Sequence, residues 1–310
     1  MDYKQIIMSE LNVLKQRELQ DGNTFKAIAY GKVISQIKHI PSISSIEDLK
    51  DVKGIGKSIK TKIEEILSTG ALQEAEIAKK DPSIEITEAL MKVYGIGVVK
   101  ANELVKKEKI KSIEDLRERV KQDSTLLNTN QMIGLQFYED FLERIPRAEM
   151  KKHETKLLTI LKEIDPELEG VVVGSYRRGE KSSGDIDVLI KSSDESVLSS
   201  FINSLTKKKY ITHVLAHGSK KFMGVCQTSK KGKFRRLDIL LTSPDEYPFA
   251  LLYFTGSDKF NVAMRKHALT KGFSLNEHGF TPKAPFMNSE EDIFKFLDYP
   301  YVSPKDRKNS

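Results

Sequence analysis

The residues that decide the fold of the second half of the chain are VVGSYRRG at 172–179 and SSGDIDVLI at 182–190. An apolar run ends in Gly174-Ser175, where backbone amides and a hydroxyl can face phosphate oxygens. Asp185 and Asp187 follow two residues apart on a predicted strand, so period-two alternation directs both carboxylates to one face. Two carboxylates held that closely repel each other unless a cation lies between them.

A third acid stands in a second apolar run, LDILL at 237–241, which is also predicted to be a strand. If Asp238 lies on a neighbouring strand, three carboxylates meet, and ligands that are all oxygen suit Mg²⁺. Two such ions activate an attacking hydroxyl and stabilise a leaving phosphate. We therefore predict a nucleotidyl-transfer site in which Asp185, Asp187 and Asp238 bind two Mg²⁺ ions, with Mn²⁺ as an alternative.

The first half of the chain has helical periodicity and contains two Gly-Ile-Gly turns, Gly54-Ile55-Gly56 and Gly95-Ile96-Gly97. The pentapeptide SIEDL, at 45–49 and again at 112–116, makes this an internal repeat. A glycine turn lets one backbone approach another, and the amides at the start of the next helix can hold a phosphate. One such turn is common, but two copies predict helix-hairpin-helix motifs that bind the DNA backbone.

Charge and cysteine content narrow the functional classes. The 51 basic residues outnumber the 44 acidic ones for a net charge of +7, which favours a polyanionic partner. The single cysteine, Cys226, excludes an intramolecular disulfide framework and indicates a reducing, intracellular setting. The chain has neither 18 consecutive apolar residues nor a charged-then-apolar leader, so we expect no membrane span and no secretory signal.

Lys62 follows the first glycine turn, at the polar edge of a predicted helix whose buried stripe is Ile55, Ile59, Ile63 and Ile66. A lysine in that position is ordinarily solvated. A Schiff-base nucleophile needs burial or neighbouring cations, which Lys53, Lys57 and Lys60 are near enough in sequence to supply. The residues alone leave both interpretations open.

Strand-like segments appear only in the second half, at 171–173, 186–190 and 237–241, so we expect a helical front and a mixed α+β back joined near Ile145-Pro146. These blocks resemble the family X DNA polymerases, and the beta branch of that family most closely. The most specific are residues 174–190, RRLD at 235–238 and LYFTGSD at 252–258, and the match extends from about residue 10 to Arg307.

The resemblance implies four parts. A helical lyase domain at 1–78 would carry the first helix-hairpin-helix motif, and a helical DNA-binding subdomain at 79–145 would carry the second. A palm with a mixed sheet would span 146–245. A small α+β nucleotide-selecting subdomain would span 246–310.

The resemblance also implies residue roles. Residues holding the triphosphate would be Arg147, Ser175, Arg178, Ser183 and Gly184, and those lining its sugar and base would be Tyr253, Phe254, Gly256, Asp258 and Asn261. DNA would contact Gly54, Gly56, Gly95, Gly97, Lys26, Lys57, Arg236 near the primer terminus and Arg265 in the template minor groove. Na⁺ or K⁺ would bind the carbonyls of Lys50, Val52 and Ile55, and of Met91, Val93 and Ile96.

The family's lyase lysine matches Lys62, so the resemblance favours the Schiff-base role, in which Lys62 attacks C1′ of a 5′-deoxyribose phosphate. Lys26 and Lys57 look more like the lambda branch, because Asp21, Phe25 and Ser58 replace phosphate-contacting residues of the beta branch. The short loop at 228–234 lacks the long insertion of template-independent relatives.

We therefore expect a template-directed repair polymerase that fills short gaps in base excision repair and has 5′-deoxyribose-phosphate lyase activity. Its expected partners are gapped or nicked double-stranded DNA, deoxynucleoside triphosphates, a DNA ligase and an AP endonuclease. We expect an intracellular monomer in the nucleus, or in a viral factory or virion if the chain is virus-encoded. A template-independent nucleotidyltransferase of the same superfamily and a non-catalytic DNA-end binder remain as alternatives.

Overall fold

The computed structural model describes residues 2–308, so residue 1 of the first predicted domain and residues 309–310 of the last lie outside the described residues. Contacts between residues divide the chain between Tyr138 and Glu139 into two compact units, here called the N-terminal unit and the C-terminal unit. The finer division into four parts stays a prediction. Within 2–308, no helix combines the length and the apolar character that a bilayer crossing requires.

The N-terminal unit is helical, as its periodicity predicts, and its described residues contain no strand. A 3₁₀ turn at Ile46–Leu49 separates the second helix from the third. The α-helices are α1 Lys4–Gln20, α2 Thr24–Ile37, α3 Lys57–Thr69, α4 Gln73–Lys79, α5 Pro82–Met91, α6 Val98–Lys106, α7 Ile113–Gln122 and α8 Thr129–Gln136.

The two glycine turns have the same backbone form. Gly54 and Gly95 have φ values of +95° and +83°, in the left-handed region that favours glycine. Gly56 and Gly97, in extended conformation, cap the N-termini of α3 and α6, so both helices predicted after the turns are confirmed. Gly70, at φ +80°, ends α3 as a left-handed C-cap.

The stripe predicted on α3 is buried. Ile59, Ile63 and Ile66 join a core with Ile7, Leu11 and Tyr30, and Ile55 packs half-buried against it. A second core, around Leu90, Leu104 and Leu116, joins α5, α6 and α7. Lys62 therefore lies on the outer side of a helix whose other face is buried in the core.

The C-terminal unit is built on a five-stranded mixed sheet, together with two short strand pairs. The strands are β1 Ile145–Pro146, β2 Glu169–Val172, β3 Ser182–Ser183, β4 Ile186–Lys191, β5 Ile211–His217, β6 Lys221–Cys226, β7 Arg235–Thr242, β8 Ser274–Asn276 and β9 Gly279–Thr281. The main sheet has the order β2-β4-β7-β6-β5, in which only β4 and β7 are parallel. This architecture confirms the predicted α+β class and the three predicted strands, whereas β5 and β6 were not singled out by the sequence.

Helices α10 Arg147–Ile164 and α12 Ser196–Lys207 cover one face of this sheet, and α13 Tyr247–Thr255 packs on the other. The remaining helices are α9 Tyr138–Leu142, α11 Gly174–Arg177, α14 Asp258–Thr270 and α15 Glu290–Phe296. Val188 and Ile190 pack into the large core with α10 and α12, while Leu189 packs on the opposite face with Ala250 of α13. Because side chains alternate along a strand, Asp187 shares the face of Leu189.

A buried ion cluster ties α11, α15 and the C-terminal segment together. The side chain of Glu290 is 4% exposed and accepts two hydrogen bonds from Arg177, at 3.1 and 2.6 Å. Arg307, which is fully buried, donates to the same carboxylate at 2.7 Å and to the carbonyl of Val302 at 2.9 Å. Each charge is compensated inside the protein, as burial requires.

Candidate active site

The turn after β2 brings the backbone of Gly174 close to the carboxylate of Asp187. Gly174 has a φ of +61°, and a Cβ atom there would lie 2.7 Å from Oδ2 of Asp187. Only glycine fits this position without displacing the carboxylate. The next residue, Ser175, donates from its hydroxyl to the hydroxyl of Ser183 at 2.9 Å, which links the turn to β3.

The parallel strands β4 and β7 place two of the three predicted acids side by side. Asp187 and Asp238 are direct partners in the register of these strands. Burial, followed by the charges of Asp185 and Asp238, raises the pKa of Asp187 to about 7. Burial and the charge of Asp185 also raise the pKa of Asp238. The three carboxylates are therefore close enough to repel one another.

Arg236 partly compensates this negative charge. Its Nη2 donates to Oδ2 of Asp185 at 2.5 Å, so one predicted primer-side residue contacts one predicted metal ligand. Within 2–308, no three Asp, Glu, His or Cys side chains already surround a single point as metal ligands do.

The donor chemistry fits a hard divalent cation. All three side chains offer only oxygen, and the raised pKa values of Asp187 and Asp238 follow in part from repulsion that a cation would relieve. Sulfur and nitrogen ligands, which zinc and copper prefer, are not part of this set.

A cleft of about 290 Å³ opens beside these acids. Seven predicted nucleotide-binding residues line it together with two of the acids and the turn. The lining residues are Gly174, Ser175, Arg178, Asp185, Asp187, Tyr253, Phe254, Gly256, Ser257, Asp258 and Asn261. The structure thus brings residues from β4, α11, α13 and α14 to one cleft, although their segments are far apart in sequence.

Arg178 has the properties of an anion ligand. Its Nη1 donates to the carbonyl of Thr255 at 2.7 Å, while its Nε is buried and has no hydrogen-bond partner among the described residues. Burial lowers the pKa of its guanidinium, against the charges of Glu180, Asp258 and Asp187. A guanidinium stays protonated in proteins, so this free donor beside a glycine turn suits a phosphate.

The wall opposite the acids is organised around Tyr253. Asn261 donates to the carbonyl of Tyr253 at 2.8 Å, and the guanidinium of Arg265 lies 4.9 Å from the centre of its ring. This cation–π contact keeps Arg265, the predicted template contact, at the edge of the cleft. Asn261 and Tyr253 therefore form one hydrogen-bonded wall of the cleft.

Three predicted triphosphate residues do not line the cleft. Arg147 stacks 4.4 Å from the ring centre of Tyr176 and donates to the carbonyls of Tyr176 and Glu180, while Ser183 and Gly184 lie beside the cleft. A neighbouring arginine, Arg144, contacts the residue before Ser183: its Nε and Nη2 donate to Ser182 at 2.7 and 2.6 Å.

The surroundings of Lys62 differ from the expected cluster of cations. Its ammonium forms an ion pair with the carboxylate of Glu74, and its side chain is 19% exposed. Lys60, one of the expected cations, pairs with Glu64 instead, and Lys26 pairs with Glu18. No sequence pattern had indicated Glu74, which lies on the next helix.

Predicted cation ligands at the hairpins are backbone carbonyls. At the second hairpin the carbonyl of Val93 accepts a hydrogen bond from the amide of Ile96 at 3.0 Å, which closes the turn. Monovalent cations at Lys50, Val52, Ile55, Met91, Val93 and Ile96 stay a prediction.

Comparisons with known proteins agree with this arrangement. Four family models match successive parts of the chain: a helix-hairpin-helix domain at 5–72, the fingers domain of DNA polymerase lambda at 88–142, the DNA polymerase beta palm at 144–244 and the DNA polymerase beta thumb at 250–308. The acids and the glycine turn fall in the palm match, and Tyr253 falls in the thumb match.

Whole-chain relatives have the same character. The chain is 33% identical to DNA polymerase lambda of Rattus norvegicus, over 99% of this chain and 56% of that protein. It is 29% identical to DNA polymerase lambda of Arabidopsis thaliana, over 92% and 58% respectively, and 26% identical to DNA nucleotidylexotransferase of Xenopus laevis, over 99% and 68%. The chain thus spans somewhat more than half the length of the two polymerase relatives. With palm, thumb, fingers and hairpin regions all matched in order, the chain belongs to the family X DNA polymerases.

Proposed function

We propose that this chain fills short gaps in DNA by template-directed nucleotidyl transfer. The observation that carries the proposal is the proximity of Asp185, Asp187 and Asp238 beside the glycine turn at Gly174. The family membership and the two polymerase lambda relatives support the same activity.

Different residues of the cleft would bind the triphosphate, orient the sugar and base, and accept the proton. The turn at Gly174 and Ser175 would hold the triphosphate with its amides and hydroxyl, and the free Nε of Arg178 would bind a phosphate oxygen. Tyr253 and Asn261 would orient the sugar and base. Asp238, whose pKa is raised, would accept the proton of the primer 3′-hydroxyl.

Asp185 and Asp187 would hold two Mg²⁺ ions, with Asp238 as a ligand of one of them. When bound, these ions supply Lewis acidity that lowers the pKa of the attacking hydroxyl and neutralises the leaving phosphate. The protein contributes their position, since Asp187 and Asp238 sit on paired central strands.

A second activity is proposed for Lys62, which would attack C1′ of a 5′-deoxyribose phosphate as a Schiff-base nucleophile. Its support is the match of the helix-hairpin-helix model across residues 5–72 and the position of Lys62, partly buried and next to a carboxylate. The two activities together would suit base excision repair, with an AP endonuclease acting before this chain and a DNA ligase after it.

A substrate panel tests the polymerase proposal. Purified protein with Mg²⁺ is given a one-nucleotide gap with or without a 5′-phosphate, an open primer-template and a single-stranded primer. We expect the complementary deoxynucleotide to be added in the gap, faster than on the open primer-template. Strong template-free addition of ribonucleotides would contradict the proposal.

Template-independent nucleotidyl transfer is the second candidate, favoured by the relative named DNA nucleotidylexotransferase. The short turn at 228–234 argues against it, since Gly232 bonds back to Ser229 at 2.9 Å and no long loop extends from β6. The single-stranded primer in the panel separates the two candidates. For location we propose the nucleus over a viral compartment, because the named relatives come from a rat, a plant and a frog.

A further inference from the structure

The contact of Lys62 with Glu74 is fixed by the connection between two helices. Helix α3 ends at a left-handed Gly70, and only residues 70–72 separate it from α4. The amide of Gln73 then donates to the side chain of Glu65 on α3 at 2.8 Å, which anchors the first turn of α4. Glu74 is the next residue, so its carboxylate is held over the outer side of α3.

The other acidic groups near Lys62 already have partners, and the nearby phenol stays protonated. Glu18 accepts from Asn23 at 2.7 Å and pairs with Lys26, while Glu65 holds the amide of Gln73. Burial, together with the charges of Glu74 and Glu18, raises the pKa of Tyr30 to about 12. The Tyr30 phenol therefore stays protonated near neutral pH and cannot act as a base there.

Accessibility favours Glu74 as a reacting group. Its side chain is 42% exposed, whereas Lys62 is 19% exposed. In a sugar bound to the Lys62 nitrogen, C2′ lies only two bonds from that nitrogen. The Glu74 carboxylate already contacts the nitrogen, so C2′ would be close to it. General bases act within hydrogen-bond reach of the proton that they remove.

We propose that Glu74 is the general base of the lyase reaction and removes the C2′ proton of the sugar bound to Lys62. This inference rests on the lyase activity proposed above, and it names a catalytic residue that the sequence pattern did not indicate.

Solvent water takes a proton from the Lys62 ammonium as nitrogen attacks the C1′ aldehyde, and returns a proton to the C1′ hydroxyl, which leaves as water to give a protonated imine. The Glu74 carboxylate then takes the C2′ proton. The electron pair of that C–H bond forms the C2′–C3′ double bond, and the C3′–O3′ bond breaks with the DNA 5′-phosphate as leaving group. Water hydrolyses the imine and frees Lys62.

The test compares Glu74→Gln with the unchanged chain on a 5′-deoxyribose phosphate end. Borohydride trapping measures imine formation, and a single-turnover assay measures release of the sugar. We expect trapping within about twofold of the unchanged chain, and sugar release slower by roughly a hundredfold or more, the usual contribution of a general base. A substrate deuterated at C2′ gives a second measurement, the isotope effect on sugar release. Loss of the base should make C2′ proton removal limit the rate, so the isotope effect should increase in Glu74→Gln, whereas a merely structural role would leave it unchanged.

Glu76→Gln is the matched control, since Glu76 lies two residues along the same helix and pairs with Lys79. It should leave both steps unchanged. Unchanged sugar release in Glu74→Gln, or an equal loss of trapping and release, would overturn the role of Glu74. Lys62→Ala tests the underlying activity separately: if it traps as well as the unchanged chain, the lyase proposal fails whatever Glu74 does.

Discussion

The two candidate sites of this chain are built on different kinds of secondary structure. The acids of the C-terminal unit stand on β4 and β7, central strands with cores on both faces, and Asp187 and Asp238 are register partners. Lys62 and Glu74 of the N-terminal unit lie on the outer sides of two helices and meet as a partly buried ion pair. A site on buried strands is positioned by the whole sheet, whereas a site on helix surfaces depends on a few local contacts.

The two units should also differ in how much stability is lost when a charged residue is substituted. Some charges in the C-terminal unit, those of Arg235, Glu290 and Arg307, are buried with several partners each, so the loss of one leaves others uncompensated. Charges in the N-terminal unit are mostly paired at the surface, where an ion pair contributes little. We therefore expect substitutions to cost much more in the first region than in the second.

The largest expected effect separates the two activities. Asp238→Ala should lower the rate of gap filling by about a thousandfold or more, because metal-assisted charge stabilisation contributes several kcal/mol. The same variant should keep borohydride trapping. Lys62→Ala should show the opposite pattern, with gap filling within about twofold of the unchanged chain. Both rates are measured on one gapped substrate that carries a 5′-deoxyribose phosphate.

Matched controls are available for both variants. Asp245→Ala removes an exposed acid just after β7, and Lys60→Ala removes an exposed cation on the helix of Lys62. If either active-site variant lost both activities while its control lost neither, the sites would not be independent.

The second largest effect concerns the ion cluster of Glu290. Glu290→Gln removes the charge that faces Arg177 and Arg307 while keeping the shape of the side chain. We expect it to lower the free energy of unfolding by about 3 kcal/mol, since breaking a buried pair leaves uncompensated charge. Urea denaturation gives the value, and Glu291→Gln, at an exposed neighbouring position, serves as the control. A cost equal to that of the control would show that the cluster contributes nothing.

The third effect is a dependence of stability on pH. His153 is fully buried, and burial lowers its pKa from 6.5 to about 4, against the opposing charge of Glu149. The unfolded chain therefore binds a proton between pH 6.5 and 4 that the folded chain does not, so stability falls as pH falls through this window. Between pH 7 and pH 5 we expect a loss of about 2 kcal/mol in the free energy of unfolding.

Comparison with His153→Gln isolates this contribution. The variant should show a shallower pH dependence, whereas His217→Gln, at an exposed position of β5, should follow the unchanged chain. Parallel curves for all three proteins would contradict the assignment to His153.

The smallest effect is expected in the N-terminal unit. Glu10 is 5% exposed and pairs with Lys79 at 2.6 Å, but its second oxygen has no hydrogen-bond partner among the described residues. Lys79 keeps Glu76 as a partner if Glu10 loses its charge. Glu10→Gln should therefore change the free energy of unfolding by less than about 1 kcal/mol. A loss as large as that of Glu290→Gln would remove the contrast between the units.

Much of the palm could be predicted because its strands carry strong local signals. Buried parallel strands have continuous apolar runs, which made β4 and β7 visible, and their acids stood out against that background. Strand β5 alternates buried and exposed residues and contains two irregularities of register, so its sequence resembles that of many loops.

The repeated pentapeptide shows where local sequence stops being informative. SIEDL at 45–49 forms a single 3₁₀ turn, while the same residues at 112–116 begin the three-turn helix α7. In both copies the aspartate accepts backbone amides before the turn, at 2.8 Å from Ser44 to Asp48 and from Lys111 to Asp115. The difference follows from what comes next, a glycine hairpin in the first copy and helix-forming residues in the second.

The ion pair of Lys62 and Glu74 lay beyond sequence reasoning for a related reason. Its formation depends on the angle at which α4 returns after Gly70, which is set by tertiary contacts such as that of Gln73 with Glu65.

The pairing of β4 with β7 also has a consequence for how the protein reaches its native state. These strands lie roughly fifty residues apart in sequence, whereas β5 and β6 are neighbours in sequence that pair locally. Contacts between distant segments form slowly, because loop closure comes before any gain from pairing. The carboxylates come together only when β4 has paired with β7. The rate at which gap filling returns during refolding would therefore report a late step, which follows formation of the β5–β6 hairpin.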